Sequence, residues 1–139
     1  MRPAILVLLV AVAVPLAGCG KSDEEQVRGA LAQYAAATRE KDYQRLCDDL
    51  LASQLVQSVR SLGLPCEAVL RHSLGQVSHP TLTVSSVQVA ENQALARVRT
   101  DAANQRPSDD TIRLVHQDGS WRIASLASPQ PQPPPDNVP

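Results

Sequence analysis

The sequence predicts an α+β domain in which three N-terminal helices pack on a curved four-stranded antiparallel sheet. Up to residue 74, apolar residues recur every three or four positions, which is the spacing of one face of a helix. After His79 and Pro80 they recur at every second position, which is the spacing of a strand with one buried face. Turn-forming residues divide this second region into four strands. A helical half therefore precedes a sheet half along the chain.

The first two helices are marked by their capping residues. Ser22 and Glu25 form a capping-box pair, which predicts a first helix over residues 23–40. Asp42 is suited to cap a second helix, and Gly63 is suited to end it. The buried stripe of this second helix is predicted to contain Leu46, Cys47, Leu50, Leu51, Leu55, Val56, Val59 and Leu62.

A short third helix is predicted after Pro65, which suits a first helical turn. Its inward residues are Cys66, Val69, Leu70 and Leu74. The second and third helices thus each place one cysteine, Cys47 or Cys66, on an apolar face.

The first two strands of the sheet are predicted as a hairpin. The alternation of buried positions slips at Ser85 and Ser86, which predicts a β-bulge in the first strand. A tight turn at residues 91–93 leads to the second strand over residues 94–102, whose polar residues occupy one face. This pattern is typical of a half-solvated antiparallel strand.

The last two strands are predicted to follow a polar loop. Residues 104–110, Asn-Gln-Arg-Pro-Ser-Asp-Asp, read as that loop, and the third strand covers residues 111–116. Asp118 and Gly119 are suited to a two-residue hairpin turn. The fourth strand is expected over residues 121–127.

The N-terminus has the pattern of a bacterial export signal. Arg2 precedes an apolar run that is shorter than the roughly 20 residues needed to span a bilayer as a helix. The run ends in Leu16, Ala17, Gly18 and Cys19, which resembles the lipobox of bacterial lipoproteins at all four positions. In that family, signal peptidase II cuts before the cysteine, whose sulfur carries a diacylglyceryl group.

This resemblance implies that residues 1–18 are a signal peptide and that Cys19 is the lipid-carrying N-terminus, followed by a short linker to residue 22. The lipid bilayer would be a partner through the acyl chains on Cys19, because two chains hold stably where one binds marginally. The domain is then expected at the extracytoplasmic face of the cell membrane. An ordinary secretory signal with a chance cysteine is the alternative.

The remaining cysteines, Cys47 and Cys66, form an even pair in a chain expected outside the cytoplasm. Such a pair predicts a disulfide, and two buried free thiols are the alternative. A metal site is disfavoured, because His72, His79 and His116 show no ligand spacing with either cysteine. We expect no metal and no cofactor.

Three helices followed by a four-stranded meander that closes with Asp-Gly-Ser-Trp-Arg-Ile-Ala-Ser-Leu resemble the nuclear-transport-factor-2-like, or cystatin-like cone, superfamily. The resemblance covers about residues 23–127 and extends to small actinobacterial lipoproteins with such a domain. An excess of arginine over lysine, 11 to 2, fits that origin. The chain departs from relatives that fill the cone with aromatic side chains, since it has no phenylalanine.

The C-terminal residues 128–139 contain six prolines and almost no apolar bulk. Such a segment cannot bury enough surface to fold, so we expect a disordered, polyproline-like tail. A solvated tail is the ordinary interpretation, and a proline-rich ligand for a partner is the alternative.

Three residues are candidates for a pocket: Tyr34, His116 and Trp121. Enzymes of the cone superfamily use an aspartate, histidine or tyrosine in the pocket for acid–base chemistry, but none of their catalytic patterns maps onto this chain. Tyr34 fits the core face of the first helix, and His116 shares a strand face with Ile112 and Leu114. A core tyrosine and a hydrogen-bonded histidine are therefore the ordinary interpretations, and we assign no catalytic residue.

Two functions remain open at this point. The first is a membrane-tethered, non-enzymatic module that binds an unknown small molecule or envelope protein, and low aromatic and histidine content favours it. The second is a cone-fold envelope enzyme that performs acid–base chemistry on a small hydrophobic substrate. Without residues 1–18 the chain carries a formal charge of −2 and no basic patch, which argues against nucleic acid. A homodimer through the sheet is a further prediction.

Overall fold

The computed structural model describes residues 20–129. The predicted signal peptide, the lipobox residues Leu16, Ala17, Gly18 and Cys19, and residues 130–139 of the predicted tail lie outside the described residues. The helical elements are α1 (Asp23–Glu40), α2 (Tyr43–Arg45), a π-helical segment (Leu46–Leu50), α3 (Ser53–Arg60) and α4 (Cys66–Leu74). The strands are β1 (Thr81–Ala90), β2 (Gln93–Ala102), β3 (Gln105–Gln117) and β4 (Ser120–Pro129). The predicted α+β class and antiparallel four-stranded sheet are confirmed.

Helix α1 begins and ends at its predicted bounds. The Ser22 Oγ accepts a hydrogen bond from the Glu25 N–H at 3.2 Å, and the Glu25 Oε2 accepts one from the Ser22 N–H at 2.9 Å. This capping box satisfies two N–H groups that the first turn would otherwise leave without partners. At the other end Lys41 adopts a left-handed φ of 57°, which stops the helix.

The single second helix predicted over residues 42–62 is wrong, because Leu51 and Ala52 are extended. The Ala52 N–H donates to the Ile123 carbonyl at 2.8 Å, so that this short segment pairs with the edge of β4. Leu50, Leu51 and Ala52 are all buried. Three consecutive residues cannot share one face of a helix, and the break lets all three face the core.

The link between α3 and α4 also departs from the predicted stripe. Leu62 was expected on a buried face, but it is 74% exposed because α3 already ends at Arg60. Gly63 then turns the chain with a φ of 81°, a conformation that favours glycine. Pro65 directly precedes Cys66, the first residue of α4, in keeping with the predicted start of a third helix.

The sheet has the strand order β1-β2-β3-β4. Its register shifts between Val84 and Ser86, which confirms the predicted bulge. Glu91 turns the chain between β1 and β2 with a φ of 55°. Asp118 and Gly119, with φ values of 51° and 78°, form the predicted turn between β3 and β4. Two positive φ values in sequence match the twist of the flanking strands.

The polar loop predicted over residues 104–110 is wrong, because β3 already begins at Gln105. Three polar side chains of this stretch, those of Ser108, Asp109 and Asp110, form hydrogen bonds within the sheet. Asp109 accepts hydrogen bonds from Arg99 on β2, at 3.0 and 3.2 Å, and Asp110 is buried beside Ser108. Strand β3 therefore begins at Gln105, six residues before the predicted start at residue 111.

Strand β4 also runs further than predicted. It continues to Pro129, two residues past the predicted domain boundary at residue 127. The backbones of Ser128 and Pro129 pair with Thr111 and Asp110 of β3. The first two residues of the predicted tail are thus part of the sheet.

The core lies between the helices and the inner face of the sheet. Its largest fully buried side chains are Leu31, Leu46, Leu51, Leu114, Ile123, Val27 and Cys66. On the outer face of the sheet, Leu95 is 48% exposed. The homodimer through the sheet remains a prediction. None of the helices between residues 20 and 129 is long and apolar enough to cross a membrane.

The cysteines Cys47 and Cys66 form a disulfide in the structure, with their Cα atoms 6.1 Å apart. Both residues are buried, at 4% and 0% exposure. The bridge joins the π-helical segment to the first turn of α4. It therefore fixes the two helical pieces that lie on either side of α3.

Candidate functional site

A cavity of about 170 Å³ opens between the C-terminal half of α1, the end of α4 and the edge of the sheet where β1 begins and β2 ends. We call it the cone cavity. Its apolar wall consists of Ala35, Leu74, Val77, Pro80, Leu82 and Ala102. Its polar groups are Tyr34, Thr38, Thr81, Thr100, Asp101, Gln105 and Arg106. Although seven of the thirteen lining residues are polar, most of the surface that faces the cavity is apolar. An apolar surface with polar groups beside it is typical of small-molecule sites.

Helix α1 positions two of the polar groups together. Tyr34 and Thr38 are four residues apart and lie on the same face of the helix. The Thr38 hydroxyl donates to the Tyr34 carbonyl at 2.8 Å, and Thr38 is buried. Three exposed residues, Asp101, Gln105 and Arg106, surround the cavity at the opposite side, on β2 and β3. The cavity is therefore bounded by buried and half-buried side chains at α1 and by exposed, mostly charged side chains at the sheet.

Burial raises the pKa of the Tyr34 phenol, and the neighbouring Thr38 hydroxyl offsets part of that rise. Since an unperturbed tyrosine has a pKa of about 10, the phenol is protonated at neutral pH. It can donate a hydrogen bond to a ligand carbonyl or accept one from a ligand N–H. It is poorly suited to remove a proton, because that requires a pKa near the working pH.

A buried carboxylate lies beside the cone cavity. Asp110 is 8% exposed, and its Oδ2 accepts hydrogen bonds from Ser108 Oγ at 2.8 Å and Thr100 Oγ1 at 3.4 Å. Thr100 lines the cavity, whereas Asp110 does not. Asp110 was not predicted as a site residue, because residues 104–110 have the composition of a polar loop. The signal was present, since Asp110 continues the alternation of Ile112 and Leu114 by one step.

A second hollow, of about 500 Å³, lies beside the turn between β3 and β4 and the N-terminal half of α1. We call it the hairpin groove. Trp121 and Arg122 of β4 line it, together with Lys21 and Arg45. It shares no lining residue with the cone cavity.

The structure does not bring the three predicted pocket residues together. Tyr34 lines the cone cavity, whereas Trp121 is buried against the hairpin groove. His116 is exposed, and its ring packs edge-on against Trp121 with the ring centres 5.2 Å apart. Among residues 20–129, no three histidine, cysteine, aspartate or glutamate side chains are grouped so that they could hold a metal ion.

The chain matches one protein family over most of its length. The model of the family described as "putative lumazine-binding" matches residues 14–127. No curated protein matches the chain.

Solved structures with a nuclear-transport-factor-2-like fold are similar to this one. One of unknown function from Silicibacter pomeroyi is 18% identical, with a TM-score of 0.51, and covers 75% of this chain and 94% of its own. Another of unknown function, from Shewanella baltica, is 14% identical, with a TM-score of 0.53; the match covers 76% of this chain and 93% of that protein. A "putative dehydratase" from Streptomyces avermitilis is 18% identical, with a TM-score of 0.52 and coverages of 77% and 95%. At these identities the likeness shows the fold alone.

Proposed function

Because this chain belongs to the putative lumazine-binding family, we propose that it is a non-enzymatic module that binds a small planar ligand at the extracytoplasmic face of a bacterial membrane. The observation that carries the proposal is the cone cavity, which combines a mainly apolar surface with the protonated phenol of Tyr34 on its α1 side. An apolar wall supplies affinity for a ring, and a few polar groups fix its orientation. The ligand therefore has an aromatic ring with hydrogen-bonding groups at its edge.

The size of the cone cavity limits how much of a ligand enters it. An apolar cavity of about 150 Å³ holds one benzene molecule, and the cone cavity measures about 170 Å³. Lumazine consists of a pyrimidinedione ring fused to a second ring. We propose that the pyrimidinedione ring enters and that the second ring stays at the exposed rim near Gln105 and Arg106.

The membrane location is proposed from the sequence before the domain. Cys19 ends a lipobox-like sequence, and α1 begins only four residues later, at Asp23. Four residues span at most about 14 Å of extended chain. A diacylglyceryl group on Cys19 would therefore hold the N-terminal end of α1 close to the membrane surface.

The role of Tyr34 is tested by Tyr34→Phe, which removes the hydroxyl and keeps the ring. We expect calorimetric titration with lumazine to show about a fivefold loss of affinity, the effect of one neutral hydrogen bond. Between about pH 6 and pH 9 the ratio of the native affinity to the Tyr34→Phe affinity should be constant, because a phenol with a raised pKa stays protonated there. Lumazine that is recovered after incubation with the protein should have an unchanged mass, because a binding module does not convert its ligand.

A cone-fold enzyme is the second candidate function, and the buried carboxylate of Asp110 favours it. Such an enzyme should convert its substrate, and Asp110→Asn or Tyr34→Phe should slow turnover about a hundredfold or more. A hundredfold loss of turnover, at an unchanged melting temperature, would decide for the enzyme and against the binding module. Asp110 is linked to the cavity only through its hydrogen bond with Thr100, which favours the binding module over the enzyme.

A further inference from the structure

The hairpin groove is a second site with a chemistry different from that of the cone cavity. Its volume of about 500 Å³ lies within the range of about 300–1,000 Å³ that is typical of ligand sites. Its lining is mainly polar and includes glutamines from α1, Gln26 and Gln33. It is therefore unsuited to an apolar ring and suited to a ligand that forms many hydrogen bonds.

Positive charges are in excess in the hairpin groove. Lys21, Arg45 and Arg122 line it, against the two carboxylates of Glu25 and Asp49. Glu25 is already engaged, because its Oε2 accepts the hydrogen bond from the N–H of the α1 cap residue at 2.9 Å. The groove thus carries a net positive charge that an anion can compensate.

Two residues that line the hairpin groove each carry a buried donor with no acceptor among residues 20–129. The donors are the indole Nε1 of Trp121 and the Nε of Arg122. The Arg122 side chain is held in place, because its Nη1 donates to the Asp48 carbonyl at 2.9 Å. Arg45 is oriented in a similar way by the Gln33 Oε1, at 3.3 Å. A buried donor without an acceptor is costly, so such groups normally meet protein, water or a ligand.

We propose that the hairpin groove binds the phosphate of an anionic phospholipid headgroup. A phosphate offers several acceptor oxygens and a negative charge, and arginine matches its geometry well. The headgroup as its source rests on the lipid anchor of the proposed function. Lys21 follows Cys19 by two residues, within about 7 Å of chain, so the groove would lie next to the headgroup layer.

This contact orients the domain on the membrane. The α1 residues that line the groove lie between Glu25 and Gln33, whereas Tyr34, Ala35 and Thr38, nearer the C-terminal end of α1, line the cone cavity. With the groove on the headgroups, the cone cavity lies at the end of α1 that points away from the bilayer. A ligand can then enter from the aqueous side.

The test is a calorimetric titration of the full mature protein, purified in a non-ionic detergent, with dihexanoyl phosphatidylglycerol and separately with inorganic phosphate. We expect the lipid to bind at least tenfold more tightly than phosphate. Arg122→Gln should weaken lipid binding about tenfold and Trp121→Phe several fold. The matched control Arg60→Gln removes the same charge from an exposed position outside the groove and should leave binding unchanged. If Arg122→Gln lowers the melting temperature, Arg45→Gln replaces it.

If inorganic phosphate and the lipid bind with equal affinity, the proposal that the ligand is a phospholipid headgroup is wrong. Absence of lipid binding, or an equal loss in Arg60→Gln, would overturn the groove as the site. The mass of the N-terminal peptide from the same sample reports lipid on Cys19 separately. Lipid binding by a protein without that modification would support the groove and contradict the proposed anchor, so the two failures are distinguishable.

Discussion

The Cys19→Ala variant is expected to carry no lipid and to be lost from the membrane fraction of the cells that produce it. The two acyl chains are the proposed anchor, and each buried CH₂ contributes about 0.8 kcal/mol to membrane binding. Membrane fractionation, combined with labelling by radioactive palmitate, measures this loss.

Gly20→Ala is the matched control for the anchor, because it changes the neighbouring residue and leaves the lipobox-like sequence intact. A Cβ at Gly20 would meet no atom within 4 Å among the described residues, so the domain should be unaffected. The control should remain in the membrane fraction and take up palmitate. If the Cys19→Ala variant also takes up palmitate and is cut normally, the lipobox interpretation is wrong.

Reduction of the bridge between Cys47 and Cys66 is expected to lower the free energy of unfolding by about 3 kcal/mol. The bridge closes a loop across 19 positions of sequence, and the chain-entropy relation gives about this value for such a loop. For a domain of this size the loss corresponds to a fall of about 10 °C or more in the melting temperature. Circular dichroism with and without dithiothreitol measures it.

The double variant Cys47→Ser with Cys66→Ser serves as the control for reduction. Its melting temperature should lie near that of the reduced native protein and should not respond to dithiothreitol. The detection of two free thiols in native protein by mass spectrometry would show that the bridge does not form.

The parts of the fold that follow from local chemistry were predictable. The capping box of Ser22 and Glu25 sets the start of α1, and the slip in alternation at Ser85–Ser86 locates the bulge. Asp118 and Gly119 define a turn because few residues tolerate two positive φ values in sequence. Each of these signals lies within a few residues of the structure that it specifies.

The errors arise where a distant partner decides the local conformation. Ala52 leaves the helical path to pair with Ile123 on β4, and a helical period in the sequence does not reveal that partner. Asp109 belongs to a strand because Arg99 on β2 meets it, although its neighbours have the composition of a loop. Polar strands and broken helices of this kind require knowledge of the tertiary structure.

The candidate site was predictable only in part for the same reason. Tyr34 was predicted on the core face of α1; it is partly buried against the core and lines the cone cavity. Trp121 and His116 pack against each other at the hairpin end, because the turn after β3 brings them opposite one another. The donors of Trp121 and Arg122, which have no acceptor among residues 20–129, depend on how β4 packs against the helical elements, and single residues in the sequence give no indication of them.

The binding claim is tested most directly by filling the cone cavity. Ala35 lines the cavity, whereas its neighbour Ala36 does not, and both are half-buried on the same helix. We expect calorimetric titration with lumazine to show at least a tenfold loss of affinity in Ala35→Leu and no loss in Ala36→Leu, at equal melting temperatures. Equal affinities in the two variants, or no binding of lumazine by the native protein, would contradict the assignment of the cone cavity as the ligand site.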